Sequence, residues 1–326
     1  MQVVVTGVRS RTHLVHVSAY LRRLLAENEG GDTIEVGYLA GGSFIGNANV
    51  DADDVAHLLP GGPRLQVRLL RRLDDLSSQW SAEDLVYVAV GAPGVKPWLD
   101  LRRRAGRSRI RVVVTDEGLG TYGTWTTRHD AWRRQGVSEP WCSVRTTAVR
   151  LAGRFLTSQR FAMYDRDRGW ALDPDIAAEF RRRTTDGDGN GAGRVVLLTQ
   201  PWVDMGALPE SDYLAHVNQI RGRVTAMGHR LVIRAHPAED PSRYAEFETL
   251  PGDLPAELDG RVVQSAAVIG GSSTALLNLA ALHRRPAWRV LVPGLERLEG
   301  RLGADQRSLM GRYLPAAVPV ADLPTS

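Results

Sequence analysis

The feature that most constrains this chain is a series of short, nearly unbroken apolar runs, each closing on a glycine or polar turn and each followed by helical spacing. Val3-Val4-Val5-Thr6 closes on Gly7, and Leu14, Val17, Tyr20, Leu21, Leu24 and Leu25 then recur at helical intervals. Thr33 to Leu39, Asp84 to Val90 and Ile110 to Val114 read as further strands, the last running into Thr115-Asp116-Glu117-Gly118. Strands without a polar side need cover on both faces, which a parallel sheet between two helical layers supplies. The fold class expected is therefore α/β. Val55 to Leu59 and Arg64 to Leu76 read as helical material, and Thr121 to Arg183 as helices and loops over the end of the sheet.

The same pattern restarts further along. Val195 to Thr199, Arg230 to Ala235 and Ala266 to Ile269 read as strands, with helices at Tyr213 to Met227 and from Ser272 through Leu282. Between the two series lies Thr184 to Gly193 (TTDGDGNGAG), the small, polar, glycine-rich composition of a linker. A chain of 326 residues also exceeds what one core usually serves. The expected organisation is an N-terminal Rossmann-like domain over residues 1–183, a linker over 184–193 and a C-terminal Rossmann-like domain over 194–326. Leu291 to Ser326 has no clear place in this pattern.

Composition narrows the classes. No apolar stretch is long enough to span a bilayer and the N-terminus enters a strand directly, so a soluble cytoplasmic protein is expected. Cys142 is the single cysteine and no Cys/His spacing suits zinc, so neither a disulfide nor a metal is expected. Lys96 is the only lysine among 41 basic residues, a bias expected of a high-GC bacterium. Arginines cluster at Arg102 to Arg107 with Arg109 and Arg111, and at Arg181 to Arg183. They read as solvated helix faces. They are also where the chain would touch the inner face of a membrane peripherally; no aromatic interleaving accompanies them, so nucleic acid is not an expected partner.

Three motifs sit just beyond strand C-termini, the edge at which open α/β sheets bind ligands. Asp116-Glu117-Gly118 offers paired carboxylates, one of which could take a proton from a hydroxyl if burial or its neighbour raises its pKa; an acidic turn capping a helix is the plainer reading. His236-Pro237 holds an imidazole on a backbone stiffened by proline, suited to a phosphate oxygen, or is an ordinary turn histidine. Gly270-Gly271-Ser272-Ser273-Thr274 combines close backbone approach with hydroxyls at a helix start, a phosphate cradle or a simple serine cap. Gln200, after the strand ending at Thr199, and Arg234, beside His236, are further candidates. Arg234 would face a sugar carboxylate, or solvent.

The order of these motifs resembles the bacterial sialyltransferases of the polysialyltransferase and lipooligosaccharide sialyltransferase families, most closely over Val112 to Gly123 and Leu231 to Ala275. The resemblance implies a GT-B fold, two Rossmann-like domains whose parallel sheets face each other across a cleft. It implies an inverting, metal-independent transferase without a cofactor, moving a nonulosonic acid from a CMP-sugar donor to a glycan acceptor in polysaccharide or capsule synthesis. Asp116 or Glu117 would be the general base, His236 would assist departure of CMP, and Gly118, Pro237, Gly271, Ser272, Ser273, Thr274, Gln200 and Arg234 would line the substrate and nucleotide sites. Two alternatives stay open: a GT-B transferase using another nucleotide sugar or a CMP-Kdn- or CMP-Kdo-like donor, and a catalytically inactive nucleotide-binding relative.

Overall fold

The computed structural model describes residues 1–28, 31–39, 50–76, 85–134, 136–252 and 254–324. The chain forms two compact units, divided between Glu179 and Phe180.

The first unit opens with β1 (Gln2–Thr6) and α1 (Arg11–Glu27), whose N-cap Ser10 accepts a bond from the His13 amide. β2 (Ile34–Leu39), α2 (Ala52–Leu58), β3 (Leu65–Leu70), β4 (Leu85–Val90), α3 (Val95–Ala105) and β5 (Ile110–Thr115) follow. Next come α4 (Trp125–Arg134), α5 (Trp141–Phe155), β6 (Gln159–Phe161), a small antiparallel pair of β7 (Tyr164–Asp165) and β8 (Ala171–Leu172), and α6 (Pro174–Arg183), whose residues from Phe180 onward belong to the second unit. Six strands form one parallel sheet in the order β3-β2-β1-β4-β5-β6. Every side chain of β4 is buried, as expected for a strand covered on both faces.

Two sequence expectations change here. Arg64 to Leu76 is helical only in a 3-10 turn at Leu73–Asp75: it contains β3, an edge strand bonded only to β2, with Leu65 and Leu70 buried and the residues between them exposed. With one strand neighbour, this segment can carry exposed Arg68, Val67 and Leu69 without the unbroken burial that marks central strands. Thr121 to Arg183 also contributes a strand, β6, which extends the sheet beyond β5. Asp84 and residues 40–49, which include the loop after Leu39, lie outside the described residues.

The second unit holds β9 (Arg194–Leu198), α7 (Glu210–Ala226), β10 (Arg230–Arg234), the short α8 (Gly260–Val263), β11 (Ala267–Gly270), α9 (Thr274–His283), β12 (Ala287–Arg289), α10 (Arg297–Gly300) and α11 (Ala304–Tyr313). Its four strands are parallel in the order β10-β9-β11-β12. Val195, Leu197, Val217, Ile220, Ile233 and Ile269 make the centre of its core. The C-terminal segment returns to the sheet through a parallel bridge from Val318 to Val290.

Residues 184–193, expected as a linker, pack within this second unit. The Thr185 amide donates to Leu258 O at 2.9 Å, and Asp188 takes two bonds from Arg194 at 2.7 and 2.9 Å. The glycines are there for close approach: a Cβ on Gly191 would stand 2.0 Å from Gln264 O, and one on Gly260 would stand 2.1 Å from Thr185 O. Both obstacles are backbone atoms and cannot swing away. Gly260→Ala is therefore expected to cost about 1–3 kcal/mol of stability, read as a lowered urea midpoint.

Candidate active site

In the main sheet of each unit the strands run the same way, so their C-terminal ends and the loops beyond them share one edge. In the first unit, Thr6 Oγ1 lies 3.0 Å from Tyr87 Oη, which also accepts from the Gly94 amide at 3.0 Å, tying the ends of β1 and β4 to the start of α3. The acidic motif emerges from β5 beside them. Gly118 has φ +106°, open to glycine and strained for other residues, and turns the chain sharply after the carboxylates.

The two carboxylates have different surroundings. Asp116 is buried, and its Oδ2 accepts the Tyr122 hydroxyl at 2.5 Å and the Met163 amide at 2.7 Å. Burial pushes its pKa up to about 6, against the opposing pull of those two bonds and of Arg160. Glu117 is one-third exposed and pairs with Arg128 at 3.3 Å. Its Oε2 lies over Gly91, where a Cβ would stand 2.4 Å away, and Gly91 itself has φ +75°.

His13 also touches this motif. The Arg9 amide donates to its Nδ1 at 3.1 Å, so Nε2 carries the proton and faces Glu117 O at 3.4 Å. Burial lowers the His13 pKa to about 4, so the ring is neutral. It acts as a fixed strut between α1 and the acidic loop.

In the second unit, Gln200 follows β9, His236-Pro237 follow β10, and Gly271 to Thr274 lead from β11 into α9. Gln200 and Gly271 meet: a Cβ on Gly271 would stand 2.7 Å from Gln200 Oε1. The Ala238 amide donates to His236 Nδ1 at 3.1 Å, which leaves Nε2 as the ring's N–H donor. Burial lowers the His236 pKa, so near neutral pH the ring offers a hydrogen bond more than a full charge.

The residue that fixes His236 is Glu239, which motif reading passes over. Glu239 is buried; its Oε2 accepts the His236 amide at 2.7 Å and the Thr199 hydroxyl, and its Oε1 accepts the Tyr244 hydroxyl at 2.7 Å. One carboxylate thus ties the ends of β9 and β10 together. Burial raises its pKa, opposed by these donors. The signal available in the sequence is the spacing His-Pro-x-Glu, with an acid one turn after a stiffened histidine.

Ser273 is the N-cap of α9, its side chain accepting the Leu276 amide at 3.2 Å. Ser272 Oγ donates to Glu299 and accepts from Arg289 at 2.8 Å, while Arg289 also pairs with Glu299. A carboxylate is therefore seated between a serine hydroxyl and a buried guanidinium at the start of a helix, which is the chemistry of an anion site. Arg289 Nε is buried and has no hydrogen-bond partner among the described residues.

Arg234 does not fit the role of facing a sugar carboxylate. Its guanidinium is buried and donates to Leu250 O at 3.0 Å and to Leu254 O, with Asp259 3.5 Å away. Freeing it would strand two carbonyls. Among the described residues, one group has the donor set for a metal: His129, Glu139 and Cys142, whose ligand atoms lie within 4.8 Å of one another. Its members already engage one another, with His129 Nε2 2.5 Å from Glu139 and the Cys142 thiol donating to His129 O. It involves none of the three motifs.

No family model and no curated protein matches the sequence. Solved structures do match. The GT-B domain of a sialyltransferase from Photobacterium damselae aligns over 98% of this chain and 99% of its own, at 12% identity and a TM-score of 0.50. A UGT transferase from Siraitia grosvenorii in complex with UDP aligns over 99% of this chain and 86% of its own, at 13% identity and a TM-score of 0.50. The fold is GT-B. Each unit is one Rossmann-like half of it, and the motifs of both halves lie at the strand edge where such sheets take ligands.

Asp116 gives a measurable signature. With a folded pKa of about 6 against 3.8 unfolded, its contribution to stability is fully present below the unfolded value and is lost as pH rises through 6. Between pH 5 and 7.5 this loss is on the order of 1 kcal/mol. Asp116→Asn, which cannot titrate, should lack that loss and gain stability relative to wild type as pH rises; urea unfolding at the two pH values measures it.

Proposed function

We propose that this protein is an inverting glycosyltransferase that carries a CMP-activated nonulosonic acid, sialic acid or a close relative, to a glycan hydroxyl. The observation that carries the reading is Asp116, a buried carboxylate at a strand end whose pKa of about 6 makes it a competent proton acceptor near neutrality. Its two bonds both fall on Oδ2, which leaves Oδ1 for the acceptor hydroxyl. Glu117, already paired with Arg128, is the weaker candidate for the base and serves to position the acceptor loop.

In this mechanism the acceptor O–H gives its proton to Asp116 as its oxygen bonds to the anomeric carbon. The bond from that carbon to the phosphate oxygen breaks on the opposite face, and CMP leaves with the electron pair. The His236 Nε2–H, the hydroxyls of Ser272, Ser273 and Thr274 and the amide end of α9 meet the charge that develops on the phosphate. Pro237 and Glu239 hold the imidazole in place, Gly118 and Gly271 admit close backbone approach, and Gln200 contributes a neutral amide. No metal or cofactor is required in this account. The Photobacterium neighbour, a sialyltransferase, supports the donor assignment alongside the motif order. The Siraitia neighbour, bound to UDP, favours a uridine donor as the second reading.

The donor reading is tested by thermal shift with CMP, UMP, UDP and GDP, and by CMP release from CMP-sialic acid in the presence of glycans. Selective stabilisation by CMP is expected; selective stabilisation by UDP would replace the donor assignment with the second reading. Asp116→Asn should lower kcat roughly 10²- to 10⁴-fold. Wild-type turnover should rise with pH through about 6 as Asp116 loses its proton. His236→Ala should also lower kcat, by about a hundredfold. CMP release unchanged in both variants and in Glu117→Gln would sink the mechanism.

A phosphate that takes the Ser272 hydroxyl must displace the Glu299 carboxylate, an anion for an anion. Glu299→Gln should therefore bind CMP several-fold more tightly than wild type while leaving cytidine unchanged, and Arg289→Gln should weaken CMP about tenfold. Calorimetric titration of both nucleotides reads the difference.

A further inference from the structure

Helix α5 carries an apolar stripe that the fold leaves uncovered. Trp141, Val144, Ala148, Leu151 and Phe155 follow the spacing 3-4-3-4 and fall within about 80° of the helix circumference. All five are exposed; Trp141 is 61% and Phe155 72% accessible. The side of the helix away from the stripe, with Cys142 and Thr146, is the one buried in the first unit. A stripe of this regularity normally faces a core. Here it faces outward.

Charge indicates what covers it. α5 contains Arg145, Arg150 and Arg154 and no acidic residue. Arg154 lies over the Phe155 ring at 5.7 Å, and Arg145 over Trp132 of α4 at 5.8 Å, so these cations flank aromatic surface. Among the described residues, acidic side chains near the stripe are few: Glu139 precedes the helix and bonds His129, and Asp130 lies on α4. α3, which packs against α5, adds exposed Val95 and Leu99, with Lys96, Arg102, Arg103 and Arg104 on the same helix and Asp100 paired to Arg103. Apolar residues with aromatic ends, flanked by arginines whose stems can lie along the surface, match the interface of an anionic bilayer.

We infer that α5, with the exposed end of α3, is an amphipathic docking face that holds the protein on an anionic lipid surface, Trp141 and Phe155 entering the headgroup boundary and Arg145, Arg150 and Arg154 meeting lipid phosphates. The arginine groups read from the sequence as membrane-facing are not its centre. Arg102 donates to Gly106 O and Ser108 O, Arg104 pairs with Asp74, and Arg181 donates to Leu282 O. The inference is independent of the donor sugar.

Co-sedimentation of the full chain with vesicles tests it. Partition onto vesicles of phosphatidylglycerol and phosphatidylcholine should exceed partition onto phosphatidylcholine alone by about tenfold, and most of the difference should vanish in about 0.5 M salt. Trp141→Ser with Phe155→Ser should lower partition about tenfold at either salt concentration, and Arg150→Glu with Arg154→Glu should remove the lipid-charge dependence. These side chains are exposed, so both variants should keep the wild-type melting temperature, and turnover of a soluble acceptor should be unaffected. Equal partition on both vesicle types, or Ser variants that bind as wild type does, overturns the inference. A wild type that ignores vesicles but dimerises, with the Trp141/Phe155 pair of changes restoring the monomer, overturns it in favour of a second copy on this face.

Discussion

Parallel strand pairing is the constraint from which the rest follows. Neighbouring strands that run the same way must be joined by crossovers, and helices that serve as crossovers cover the sheet faces. That cover is why β4 is buried at every position and β1 from Val3 onward. The same pairing gathers every strand exit to one edge of each sheet. Thr6, Gly91 and Asp116 become neighbours in the first unit, as do Gln200, His236 and Gly271 in the second, although long stretches of sequence separate them. Glycine at 91 and 271 then decides how closely those exits approach, because an added Cβ would meet Glu117 in one case and Gln200 in the other.

Each unit has a buried carboxylate near this edge, and the two are satisfied differently. Glu239 accepts donors on both oxygens, from His236, Thr199 and Tyr244, and Arg243 lies 3.8 Å away. A carboxylate so occupied is a brace, since using it as a base would break the contacts that locate the histidine. Asp116 receives both of its donors on a single oxygen and is lifted to about 6 by burial. Burial raises both pKa values, so what separates the two is how many of their oxygens are engaged. A costly, half-satisfied carboxylate is what proton transfer needs, and a satisfied one is what positioning needs.

Much of the architecture is legible from residue order because central strands advertise themselves: Val3 to Val5, Leu85 to Val90 and Val195 to Leu198 are apolar without interruption. Edge and very short strands do not. In β3 the residues Gln66 to Leu69 are exposed, so alternation fails, and Leu65, Leu69 and Leu70 fit a helix equally well. β6 and β12 have three residues each, too few to show a period. The glycine-rich stretch 184–193 has a linker's composition, yet its glycines serve contact with Gln264, and composition holds no trace of a partner so far away in sequence. The candidate site follows the same division. Its residue types and strand-end positions can be read locally. The separation of Asp116 from Glu117 depends on Met163 and Arg128, and the commitment of Arg234 depends on Leu250, Leu254 and Asp259, all long-range facts.

The start of α9 shows how the fold balances a local concentration of positive charge. A helix N-terminus, a serine hydroxyl and a buried arginine converge on one point, and positive potential gathered in a poorly solvated place is costly without a counter-charge. Glu299, from the four-residue α10, supplies that charge through Ser272 and Arg289. Its side chain is about one-third exposed, against 8% for Arg289, so the acid can swing into water while the guanidinium stays fixed. Under the proposed function the asymmetry favours exchange: an incoming phosphate would meet a preformed cationic seat and release a carboxylate that solvent readily accepts. Ser272 would then contribute to binding through the group it gives up as much as through the bond it makes.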